Sequence, residues 1–111
     1  MKYKAHEQIG YYGRTVEVEV DARLRTMPHA QCGVRFDEHG GVSFISYSTE
    51  VITVDPHGWL TCSGTYSQTT RKQISRFLSE YYPHISYQIV KHLYETNKTI
   101  NVHTMEIADL S

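Results

Sequence analysis

The chain reads as an α+β protein: a small antiparallel sheet of about four to six strands with a two-helix hairpin packed on one face. Three observations predict this. Residues 14–66 are dominated by period-two alternation broken by Gly- and Pro-marked turns, residues 69–96 switch to helical spacing, and residues 98–107 return to alternation as a final strand. Helical signal gathered into one block also argues against a doubly wound parallel sheet, whose strands need a crossover helix between them.

Residues 1–13 are left as a lead-in, flexible or ordered. In "RTVEVEVDARL", Val16, Val18 and Val20 fall on one face and Glu17, Glu19 and Asp21 on the other, a strand with one buried and one acidic face. "RTMPHAQ" is a loop broken by Pro28. "CGVRFDEHGGVSFISYS" reads as two strands joined at Asp37–Gly41, where the Gly pair supplies the positive φ of a tight turn. A second hairpin closes at Asp55-Pro56-His57-Gly58, the residue types that a type I turn prefers at those positions.

The character changes at Ser67. Thr70 to Gln73 fits a capping box, and Ile74, Phe77, Leu78 and Tyr81 recur at i, i+3, i+4 and i+7 as one apolar stripe. Pro83 ends that helix. Ser86 caps a second, with Ile89, Val90, Leu93 and Tyr94 as its stripe and Asn97 as its end. In "KTINVHTMEI", Ile100 and Val102 are the buried positions.

A chain of 111 residues is sized for one domain, and 21% charged with 40% hydrophobic residues suits a folded protein. No apolar run reaches the roughly 20 residues of a membrane helix, and no apolar segment follows the first lysines, so a cytoplasmic protein with no membrane partner is expected. Cys32 and Cys62 are then expected to be reduced. The net charge of −1 argues against a general nucleic-acid binder, but charge is unevenly spread. Residues 5–60 carry four Arg against eight acids, a balance of −4, whereas residues 67–98 carry five cations against two acids, a balance of +3.

Four chemistries bear on the residues present. His29 and Cys32 suit zinc, but no standard ligand spacing completes the set, and no metal or cofactor is expected. Cys62 lacks a base selected by sequence, and the acids alternate along a strand instead of grouping, so no catalytic residue is assigned. "CSGTYSQTTRK" runs from strand to helix but matches no phosphate-loop spacing. Arg71, Lys72 and Arg76 point away from the apolar stripe of their helix, with Tyr66, Tyr82 and Tyr87 as candidate stacking platforms, and this is the strongest binding signal. Glu17, Glu19 and Asp21 form a second candidate face, able to mimic nucleic acid against a basic channel.

Ser46-Tyr47-Ser48-Thr49, Gly58-Trp59-Leu60, the run Gly64-Thr65-Tyr66-Ser67, Thr70, Ile74, Phe77, Tyr81 and Thr99-Ile100-Asn101 carry a resemblance over about residues 43–107. The chain resembles a family of small uncharacterised proteins of Firmicutes phages, plasmids and other mobile elements. That resemblance brings no reaction and no catalytic residue; it implies a mobile-element context. By analogy of context it points to stoichiometric inhibitors of a host machine, the anti-CRISPR proteins among them. The expected partner is an RNA-guided defence nuclease or its guide RNA. A nuclease acting on RNA or DNA and a nucleic-acid-binding accessory protein for element maintenance are the alternatives. Oligomeric state is left open, with a homodimer paired through a free strand edge among the options.

Overall fold

The computed structural model describes residues 1–64 and 66–110, so Thr65, part of the Gly64–Ser67 run, lies outside the described residues. The fold is mixed α+β, with two helices and two antiparallel sheets. β1 (Lys2–Ile9) and β2 (Tyr12–Glu19) form a two-stranded ribbon. β3 (Cys32–Phe36), β4 (Val42–Ser46), β5 (Thr49–Val54), β6 (Trp59–Cys62), β7 (Lys98–Asn101) and β8 (Ile107–Asp109) form a six-stranded sheet in chain order. α1 (Gln68–Tyr81) and α2 (Tyr87–Glu95) lie between β6 and β7 in the chain.

Residues 2–9 are therefore a strand and not a loose lead-in. Their alternation is faint in sequence, since Ala5 is small and Glu7 interrupts the apolar side. Pairing with β2 over the whole length makes it effective: Tyr3, Ala5, Val18 and Val20 are buried together with Ile45 of β4. Ile45 and its partner Gly33 lie on the ribbon side of the large sheet. Val20 Cγ1 stands 2.6 Å from where a Gly33 Cβ would be, so any side chain there would push the ribbon away.

The opposite face of that sheet packs on the helices. Phe44 of β4 stacks on Phe77 of α1 with ring centroids 4.6 Å apart and planes 13° from parallel. Ile74, Leu78, Val90 and Leu93 join Val34, Ile52, Leu60 and Ile100 in one core. Each such side chain contributes about 1.5–3 kcal/mol by leaving water. A bulge lets two successive residues serve this core: pairing shifts between Phe44 and Ile45, leaving Val51 without a partner in β4 and buried beside Ile52.

The turns follow their sequences. Asp37 Oδ1 accepts from His39 N at 2.7 Å and Gly41 N at 2.9 Å, and Gly40 has φ +96°. Asp55 Oδ1 likewise accepts from His57 N and Trp59 N, with Gly58 at φ +97°. Ser86 Oγ accepts from Ile89 N at the start of α2, and Asn97 adopts φ +56° just past its end. The final segment divides in two. Asn101 Oδ1 accepts from His103 N and Thr104 N, turning the chain so that residues 107–109 come back along β7. Ile100 and Val102 are buried, as their alternation predicts.

Candidate functional site

The N-cap of α1 lies three residues before the predicted one. Ser67 is the N-cap, its hydroxyl accepting from Thr70 N at 3.4 Å. Thr70 and Gln73 turn inward instead: Ser46 Oγ donates to Gln73 Oε1 at 2.5 Å and lies 3.1 Å from Thr70 Oγ1. This buried polar contact and the Phe44–Phe77 stack fix the rotation of α1 on the sheet. The rotation decides which of its cations face outward.

Gln68, Arg71, Lys72 and Ser75 share one ridge of α1 and, with Tyr87 and Gln88 from the first turn of α2, line an open groove of about 520 Å³. Neither helix carries an acidic residue in its first turn, and none of the six lining residues is acidic. Arg71 and Lys72 are exposed and Tyr87 is half-buried. Burial pushes the Tyr87 phenol up while the Arg71 guanidinium nearby pulls it back down, which places that cation within electrostatic reach of the ring. The groove thus combines two exposed cations, one partly buried aromatic ring and two carboxamides that can both donate and accept.

The other residues singled out from sequence are dispersed. Arg76 is exposed on α1 one turn beyond Lys72 but is not among the residues that line the groove. Tyr66 packs its ring against the helix-side core with its hydroxyl on Ser63 Oγ, and Tyr82 meets the edge of Phe77 with centroids 5.9 Å apart. Tyr87 packs in part against the same core, but of the three tyrosines it alone lines the groove. Glu17 and Glu19 are exposed on the outer ribbon face, but Lys4 pairs directly with Glu17 and Lys2 with Glu19, and Lys2 Nζ lies 3.8 Å from Glu17 Oε2. Asp21 Oδ2 accepts from Phe36 N at 2.8 Å, pinning the ribbon exit to β3. The acidic strip is therefore matched by lysines that sequence order places 13 or more residues away.

Burial disfavours the thiolate form of both cysteines. Burial pushes Cys32 up to about 11, with Arg23 opposing and Glu80 adding to the shift. Burial also raises Cys62 against an opposing backbone contribution from Gly64, and the thiol donates to the Gly64 carbonyl at 3.2 Å. Among the described residues, no three His, Cys, Asp or Glu side chains gather as a metal site.

A family model, described as a family of unknown function (DUF8033), matches residues 19–95. The chain belongs to DUF8033. The DUF8033 match spans β3 to β6, both helices and all six groove residues, and it begins at the last residue of β2. No curated protein and no solved structure matches the chain. Gln68, Ser75 and Gln88 are the groove residues that sequence reasoning missed. The i, i+3, i+4, i+7 spacing of 68, 71, 72 and 75 was the available signal for the α1 side. Nothing in the spacing announces that α2 brings Gln88 to it.

Proposed function

We propose that this protein acts by stoichiometric binding and not by catalysis, as a mobile-element-encoded inhibitor of an RNA-guided defence nuclease in the bacterial host. It does so by occupying the guide RNA through the α1–α2 groove. The observation that carries the reading is the acid-free lining of that groove, where Arg71 and Lys72 stand together beside Tyr87 on a chain whose net charge is −1. Cations concentrated on one small surface of a mildly acidic protein favour a local polyanion contact over general nucleic-acid coating. The raised thiols support binding over covalent catalysis. The mobile-element context comes from the sequence resemblance.

Guide loading and target cleavage by a purified RNA-guided nuclease, with and without excess protein, test the reading. Inhibition that saturates at a fixed molar ratio and is lost in the Arg71→Glu/Lys72→Glu double variant is expected. Unchanged loading and unchanged cleavage at excess protein would overturn it. Progressive shortening of labelled guide RNA would favour a nuclease instead.

A further inference from the structure

We infer that the partner of the groove is an unpaired stretch of RNA, with phosphates on Arg71 and Lys72 and one base laid on the Tyr87 ring. This deepens the proposed function and rests on it. The cations alone would serve any polyanion, duplex or acidic peptide included. The other residues narrow the choice. Gln68 and Gln88 flank the cations with carboxamides that can pair with a base edge, and neither a carboxylate nor a bare phosphate uses both their donors and acceptors. Tyr87 offers an aromatic face, which a base can reach only when it is out of a duplex stack. The groove is open to solvent along its length, so a strand can lie across it with one base turned down toward Tyr87.

The surface continues in one direction. Tyr94 lies seven residues after Tyr87 on α2, two turns along the same face and about 10.5 Å away at 1.5 Å per residue. It is 40% exposed, and Lys91, whose Nζ lies 3.9 Å from Glu95 Oε1, falls between the two tyrosines in the helix. A second aromatic platform with an intervening cation is what an extended single strand needs after the first base is seated.

Anisotropy titrations at fixed salt with a labelled ten-residue oligoadenylate, the same length of abasic ribose-phosphate, and a blunt RNA duplex test the inference. The oligoadenylate should bind at least about tenfold tighter than either competitor. Tyr87→Ala should weaken it about 5- to 150-fold, Tyr87→Phe should restore it, and circular dichroism should show both variants folded. Arg71→Ala/Lys72→Ala should weaken all three probes together and lower the slope of log affinity against log salt by about 1.4 for the single strand. Equal binding of duplex and single strand, or a folded Tyr87→Ala variant with unchanged affinity, would overturn the inference while leaving polyanion binding standing. Failure of every probe to bind would overturn the inference and the function on which it rests.

Discussion

The Ser46 hydroxyl on β4 donates to Gln73 Oε1 on α1 at 2.5 Å, and both side chains are buried. Thr70 stands beside them, its hydroxyl 3.1 Å from that of Ser46. This polar contact sits inside an apolar interface, where removing one partner strands the other. Gln73→Ala should therefore lower stability by about 1–3 kcal/mol. The Ser46→Ala/Gln73→Ala double variant should lose less than the sum of the single losses, measured as urea midpoints in a double-mutant cycle. Additive losses would show that the contact carries no coupling.

The Phe44–Phe77 stack is the apolar counterpart. Both rings are fully buried and tie the sheet to α1, so Phe77→Ala should cost about 3–5 kcal/mol from lost transfer energy and the remaining cavity. Chemical denaturation followed by the Trp59 fluorescence measures it. Because the helix then loses its register on the sheet, groove binding should fall as well.

Glu80, in the last turn of α1, accepts from Arg25 N at 2.8 Å, from Thr26 N at 2.9 Å and from the Thr26 hydroxyl at 2.5 Å. Partial burial raises this carboxyl, but the Thr26 and Arg25 bonds outweigh burial and hold it below its ordinary range. In the Asp37 turn, the Gly41 and His39 amides likewise hold the carboxylate low. A depressed carboxyl stabilises the fold above its unfolded-state pKa, and that contribution is lost as pH falls through the folded value. Urea midpoints should accordingly be flat near neutrality and decline below about pH 4.5. The decline should be shallower in Glu80→Gln, which should also be less stable at pH 7 by about 0.5–1.5 kcal/mol.

On the ribbon, Lys4→Glu would set a like charge directly opposite Glu17. The pair is exposed, so the loss should be about 0.2–1 kcal/mol and should shrink in high salt. If the acidic residues of β2 contact a basic channel of the nuclease, this variant should bind the nuclease more tightly despite its lower stability. The guide-loading assay separates the two effects.

Much of this fold is legible in the chain because its signals act over a few residues. The Asp37 and Asp55 turns, the stripe from Ile74 to Tyr81, and the Ser86 cap each depend on spacing within one or two turns of backbone. The α1 cap was displaced from Thr70 to Ser67 because a polar residue near a helix start can face either the backbone or the core. Burial against Ser46 settles which. The single last strand became two because the Asn101 side chain gathers the following amides into a turn.

The candidate site divides along the same line. Local periodicity places Arg71 and Lys72 on the outer side of α1, since an apolar stripe facing the core leaves the polar positions facing water. Their pairing with Tyr87 and Gln88 and the matching of Glu17 and Glu19 by Lys4 and Lys2 depend on which elements meet. Those meetings arise from strand register and helix rotation, fixed by contacts such as Phe44–Phe77 between residues 33 positions apart, which no local spacing encodes.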